Sequence, residues 1–324
     1  MKRRLALTLS IALVITACGG ADTGDDGDGG GGPDADNPTI TLIVNPWTAS
    51  RLNAEVAKII IENELGYPVN ITEVNENDAM FTGMADGTLD AVLEIWPSGV
   101  TDAETAYFDE GSVVNIGELG TIGKIGWFVP SYVIEENPAL ATWEGYMDPA
   151  VAEMFSTAET GSSGRFLGTD PSYSQYDEQI IENLGLPFEV VFSGSEPATV
   201  AELDARFAAN EPILMYWWTP TAAVSKYDLV NVLLPEYTEE CGASAAAGDG
   251  GVDCDYPEDV LFKAASAQLE EKAPDVFAFL QAFTLTTEDQ LGMLPPVEID
   301  GLDPAEVAAT WVAENESVWR TWLP

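Results

Sequence analysis

The sequence predicts an α/β protein built as two lobes around a shared ligand cleft, and three observations carry that expectation. Runs of β-strand composition alternate with runs whose apolar residues recur every three to four positions, in two separate stretches of the chain. Aromatic residues stand at the ends of the strand-like runs in both stretches, where open α/β sheets bind their ligands. The 324 residues, 46% of them apolar, are enough chain for one or two bodies with buried cores.

The chain opens with Lys2, Arg3 and Arg4, followed by an apolar run over 5–17. That run is too short to span a bilayer and suits a signal-peptide core, so 1–17 is expected to be removed. It ends in VITAC (14–18), which looks like a bacterial lipobox with Cys18 as the lipidated residue; the alternative is an ordinary secretory signal with a chance Cys. Both readings place the protein outside the cytoplasm, the first anchored to the outer face of the membrane or periplasmic. Residues 19–38 hold eight Gly and six Asp and nothing large enough to bury, so 18–38 reads as a flexible tether. GDGGGG (27–32) matches a dinucleotide-binding pattern only through composition, since no strand precedes it and no helix follows.

The first α/β stretch begins with a strand over 39–44, stopped by Asn45-Pro46 with Trp47 beyond. Ser50 can cap a helix carrying Leu52, Val56, Ile59, Ile60 and Leu65 on one face, ended by Gly66. A strand over 69–74, a short helix capped by Asp78 and running to Ala85, and a buried strand over 89–95 ending at Trp96-Pro97 complete a βαβαβ pattern. Such a pattern implies a parallel sheet covered on both faces. The second stretch runs from 165–168 through a turn-rich loop holding Tyr173, a helix 175–184, a strand 188–192 and a helix 197–209. It ends on a strand 212–216 running into Trp217-Trp218-Thr219-Pro220. Trp311, Trp319 and Trp322 are spaced as a buried helix face, and Trp143 reads as a packing residue at a helix entry.

Twelve Lys and Arg against fifty-five Asp and Glu give a net charge of −43, which excludes a phosphate backbone as partner. Histidine is absent, which removes Ser-His-Asp and Cys-His catalysis, imidazole as general base and His-ligated zinc. Neither a metal nor a cofactor is expected. Cys241 and Cys254 flank a Gly- and Ala-rich loop; in an exported protein they most simply form a disulfide, which for such a loop stabilises by about 3 kcal/mol.

Trp47, Trp96, Tyr173 and Trp217 or Trp218 occupy equivalent strand-end positions. Aromatic faces converging in a cleft bind sugars by stacking or a quaternary ammonium by cation–π contact. For a desolvated cation each face contributes about 0.5–2 kcal/mol, so three or four faces reach the roughly 8 kcal/mol of micromolar binding only at the top of that range, and a further anchor for the ligand's other end is expected.

The runs NPWTAS (45–50), LGYPV (65–69), GTLDA (87–91), EIWP (94–97), GWFVPSYV (126–133), WTP (218–220), KYDL (226–229) and WVAEN (311–315) resemble, in this order, the glycine betaine/proline-type substrate-binding proteins of ABC importers. The resemblance spans about 39–324 and includes the two late cysteines. It implies a two-lobed periplasmic-binding-protein fold of type II whose chain crosses twice between lobes, placing 39–125 with 235–324 in lobe one and 126–234 in lobe two. It also implies a monomer without enzymatic activity that closes on a quaternary amine and delivers it to a membrane permease driven by a separate ATPase. The positions matching the family's aromatic cage are Trp47, Trp96, Tyr173 and Trp218. Trp217 is the alternative to Trp218, because adjacent strand residues face opposite ways.

Two departures from the family pattern leave the ligand open between glycine betaine, the first expectation, and choline or carnitine. Thr221 stands where relatives often place a His for the ligand carboxylate, and Ala49 where choline-binding relatives tend to place an acid. Glu94 shares a strand face with Trp96 and either faces the cation or sits on a solvated rim. The rival class is an exported carbohydrate-binding protein or glycosidase, with Trp platforms and a carboxylate pair such as Asp90 and Glu94.

Overall fold

A computed structural model describes residues 37–324. The expected signal peptide 1–17, the lipidation site Cys18 and most of the tether lie outside the described residues. β1 (Ile40–Val44) is flanked by parallel β2 (Val69–Glu73) and β3 (Ala91–Ile95). Ile40, Leu42, Ile43 and Val44 of β1 and all five residues of β3 are buried, as expected of parallel strands covered on both faces. The helix Thr48–Ile60 continues as a π-helical turn Ile61–Leu65, which Gly66 ends at φ +74°. It begins three residues earlier than the Ser50 cap predicts, with Trp47 at the cap position. The Ser50 hydroxyl instead accepts the Asn45 N–H at 2.9 Å and donates to Asn45 Oδ1 at 3.2 Å, bracing the turn that presents Trp47. Asn77, not Asp78, caps the helix Asp78–Ala85.

The sheet is mixed rather than parallel. β4 (Val113–Pro130) is eighteen residues long and pairs antiparallel with β9 (Glu258–Ser266) up to Lys124. From Lys124 onward it pairs with β7 (Leu214–Thr219), and over Trp127–Pro130 with β8 (Leu229–Val232). β5 (Gly164–Gly168) joins β6 (Phe188–Phe192) and β7 in parallel. The order is β2-β1-β3-β9-β4-β7-β5-β6, with β8 on β4. Two parallel three-stranded groups are thus joined through β4 and β9. Gly117 and Gly120 of β4 adopt φ +106° and +103° beside register shifts in its pairing with β9, a bulged strand whose glycines disguise it in the sequence.

The apolar faces of the sheet are covered by helices from every part of the chain, including the helix Pro304–Glu314, which packs on Thr48–Ile60. Trp311, Trp319 and Trp322 are buried there, with Trp311 and Trp322 stacked at 6.0 Å. Trp143 opens the 3-10 turn Trp143–Met147 and is half-buried. Cys241 and Cys254 are joined as a disulfide, and the Asn183 amide donates to the Gly250 and Val252 carbonyls of the loop it closes.

Candidate ligand site

Four aromatic side chains from the two strand groups meet at one cavity. Trp47 follows β1 at the entry to the helix Thr48–Ile60, Trp96 follows β3, and Tyr173 lies in the loop after β5. Trp218 is in the last turn of pleat of β7, which runs three residues past its expected end at 216. Together they wall a space of ≈ 410 Å³, open mouth included, with Tyr216 and Ile125 beside them. Tyr173 stands edge-on to both Trp47, at 5.4 Å, and Trp218, at 5.8 Å. Trp96 fits because residue 123 is glycine: a Cβ there would come within 2.3–2.4 Å of the Trp96 ring.

The cavity lining decides between the two candidate tryptophans. Trp218 lines the cavity with Tyr216, whereas Trp217 does not line it and is fully buried. Trp217 stacks on Trp218 at 4.4 Å and donates its Nε1–H to Thr221 Oγ1 at 2.8 Å. Thr221 in turn donates to the Trp218 carbonyl at 3.3 Å. Its hydroxyl is therefore committed to bracing β7 and does not line the cavity, contrary to the expectation of a carboxylate anchor.

Glu94 is likewise neither a cation contact nor a solvated rim residue. It is 1% exposed and sits outside the cavity wall. Its Oε1 accepts the indole N–H of Trp47 at 2.7 Å and of Trp96 at 3.1 Å. Its Oε2 accepts from the Asn53 amide at 2.6 Å and, longer, from Gln290 at 3.4 Å. Burial raises its carboxyl above the usual carboxylate range, and these four donors offset part of that rise. Asp90, its suggested partner in a carboxylate pair, is held by Lys272 at 2.7 Å and accepts the Thr41 N–H, so it serves the start of β3 and its pairing with β1.

The acid that does reach the cavity is Glu76, in the loop after β2. It accepts the Trp96 backbone N–H at 3.2 Å and the Asn45 amide at 3.4 Å. Burial raises its pKa well above the usual carboxylate range, and the negative charges of Glu94, Glu104 and Asp259 add to the rise. The rule that located the tryptophans, ligand groups at the carboxyl ends of strands, applies to β2 as well and would have found it. Ser172 and Ser174 complete the polar lining, and none of the described lining residues is Lys or Arg. The Ser172 hydroxyl is occupied by Asp170. Such a site, aromatic on its walls and acidic at one end, suits a compact cation or dipole and holds no nucleophile paired with a base.

The profile of the substrate binding domain of ABC-type glycine betaine transport systems matches residues 38–314. The chain belongs to this family. It is a substrate-binding component of an ABC-type transporter of quaternary amines, a binder and not an enzyme. A trimethylamine N-oxide-binding protein of Pelagibacter ubique is 26% identical over 98% of both chains. Among solved structures, the glycine betaine, L-proline-binding protein of Borrelia burgdorferi superposes with a TM-score of 0.69 at 20% identity, over 89% of this chain and 97% of that one. The lactococcal glycine betaine-binding protein, closed on its ligand, gives 0.67 at 18%, over 89% and 100%. A choline-binding protein in complex with choline gives 0.67 at 18%, over 88% and 92%. The fold is therefore the two-lobed, type II periplasmic-binding-protein fold.

Proposed function

We propose that this substrate-binding domain captures a small trimethylated amine between Trp47, Trp96, Tyr173 and Trp218, outside the cytoplasmic membrane, and hands it to a permease. The observation that carries the reading is the cavity itself: four aromatic walls, an acid and no base among its lining residues. The walls strip water from the methylated head and offer it their π faces. The lobes in this reading are 39–125 with 235–324 and 126–234, turning on β4 near Lys124, where its strand partner changes. A lipid at Cys18 holds the globule at the membrane.

For the ligand's other end, Glu76 favours trimethylamine N-oxide. Burial favours the neutral carboxyl, whose O–H donates to an N-oxide oxygen, and the whole-length relative binds that solute by name. Glycine betaine is the second reading. Its carboxylate would be met by the hydroxyls of Ser174 and Tyr216, which line the cavity and have no hydrogen-bond partner among the described residues. Calorimetric titration with trimethylamine N-oxide, glycine betaine, choline, carnitine, proline and a disaccharide tests both. Binding of one trimethylated amine, lost in Trp96→Ala, supports the reading and names the ligand. Binding of the disaccharide alone makes the aromatic row a carbohydrate platform and ends it.

A further inference from the structure

Glu94 is buried, has no basic partner among the described residues, and is surrounded by donors. Two of these are the indole N–H groups of Trp47 and Trp96, both on Oε1, and the other two are the amides of Asn53 and Gln290 on Oε2. A carboxyl whose partners are all N–H groups matches them only when ionised, since the protonated form would turn an O–H toward a donor. Gln290 supports this: it points Nε2 at both Glu94 and Asn53 Oδ1 while its own buried Oε1 goes without a partner. Glu76 and Glu196 are both close enough to feel the Glu94 charge, and no ion pair among the described residues includes Glu94. An ionised carboxylate in a water-poor interior without a counter-charge is expensive. The cost is offset when a cation arrives close by.

We propose that Glu94 is the specificity-determining charge of the cage: an anion bonded to the N–H edges of two cage indoles, which makes the cavity select a cationic head over a neutral one of the same shape. It rests on the reading of the cavity as a trimethylated-amine cage and goes beyond it, since it adds a formal charge to the cation–π attraction that the aromatic walls supply by themselves. The carboxylate acts in two ways. Its field falls on the bound head through a medium of low dielectric constant. Its hydrogen bonds also polarise the indoles, pushing electron density from the N–H edge onto the faces the ligand touches. Glu94 touches no ligand atom, so it is a positioning and charge-supplying residue.

The test compares each amine with its uncharged carbon isostere: trimethylamine N-oxide with tert-butanol, and choline with 3,3-dimethylbutan-1-ol. Affinities are read from Trp fluorescence in the wild-type protein and in Glu94→Gln. The expected result is a loss of roughly tenfold or more for the amine, from one charge removed at short range, with the isostere changed less than about twofold. Should Glu94→Gln fail to fold by near-ultraviolet circular dichroism, Gln290→Lys cancels the charge while leaving the carboxylate on both indoles, and the same split is expected. Equal losses for amine and isostere make Glu94 a mechanical brace and overturn the proposal, as does an amine affinity that does not move. If no trimethylated amine binds the wild type, the cage reading falls first, before any variant is made, and this inference with it.

Discussion

The Tyr173 hydroxyl donates to the Pro46 carbonyl at 2.7 Å and so ties the loop after β5 to the loop after β1. The same ring stands edge-on to Trp47, the residue after Pro46, so one residue both walls the cavity and fastens the two strand groups together. Burial raises the Tyr173 phenol far above its usual pKa, which keeps it a donor at any working pH. Tyr173→Phe keeps the aromatic wall and removes the fastening. The net value of such a bond is about 0.5–1.5 kcal/mol, so affinity is expected to fall roughly 2–12-fold. The loss should appear in the dissociation rate, because the bond is made only once the groups have met. Stopped-flow Trp fluorescence checks this, and an unchanged dissociation rate would place the bond outside the closing step.

The adjacent tryptophans of β7 should separate cleanly. Trp218 lines the cavity, and Trp217 is fully buried behind it, stacked on the Trp218 ring. Trp217→Ala is expected to cost about 3–5 kcal/mol of stability by opening a core cavity. Trp218→Ala should cost less stability and weaken the amine by roughly 5–30-fold, the worth of a desolvated cation–π face. Urea denaturation and titration of the two variants give both numbers, and the reverse ranking in affinity would put the wrong residue on the wall.

The parts of the fold that obey a short period were legible in the sequence. The βαβαβ stretch and the strand-end positions of Trp47, Trp96 and Tyr173 follow from local pattern. β4 was not legible as a strand, because Gly117 and Gly120 read as turns and only its pairing with β9, some 140 residues on, makes it extended. Glu94 was misread for the same reason. Its strand face was correctly shared with Trp96, but its donors Asn53 and Gln290 stand 41 and 196 residues away, and no one-dimensional spacing shows that they surround it. Thr221 failed by analogy: the family's ligand position is here absorbed by a hydrogen bond to Trp217.

Two further acids join the strand groups at the outer side of the cleft. Glu298, at the end of the helix Thr287–Glu298, accepts the Ala222 N–H at 2.8 Å, and Glu196 faces the Thr48 N–H from the start of the helix Glu196–Ala209. Burial raises Glu196 to about 8, with the Glu298 charge adding to it, and raises Glu298 to about 7. Arg51, Glu73 and Asp204 line the same outer cavity. Asp177, bonded to Trp127 and Tyr256, is raised to about 7 by burial. These acids have folded pKa values above their unfolded ones, so the folded chain holds more protons than the unfolded chain between about pH 4 and 8. Their contribution is complete below the unfolded values and is lost as pH rises through the folded ones. Stability should therefore fall from pH 5 to pH 8, by at most about 1.4 kcal/mol per pH unit per group. Glu196→Gln with Glu298→Gln should flatten the slope. Tm measured across that range checks the sign, and a rise toward pH 8 would contradict it.

Gly123 sets how close Trp96 can come to β4. Its backbone is not in the left-handed region, so only space is at issue, and an added Cβ would lie 2.3 Å from Trp96 Cζ3 and 2.4 Å from Cη2. Trp96 is a rigid ring tied at its other edge to Glu94 through Nε1 and by its own backbone N–H to Glu76. It cannot swing aside without breaking one of these bonds. Gly123→Ala is therefore expected to push the ring into the cavity, at a cost of about 1–3 kcal/mol of stability from overpacking, and to weaken the amine by at least the roughly 5–30-fold that loss of one wall contact gives. Gly292, in the middle of the helix Thr287–Glu298, has open space where a Cβ would go. Gly292→Ala should leave binding unchanged and stabilise by up to about 1 kcal/mol through helix propensity. Titration and denaturation of the pair separate a steric effect at the cage from the general effect of replacing glycine, and Gly123→Ala binding as tightly as Gly292→Ala would show that Trp96 has room to spare.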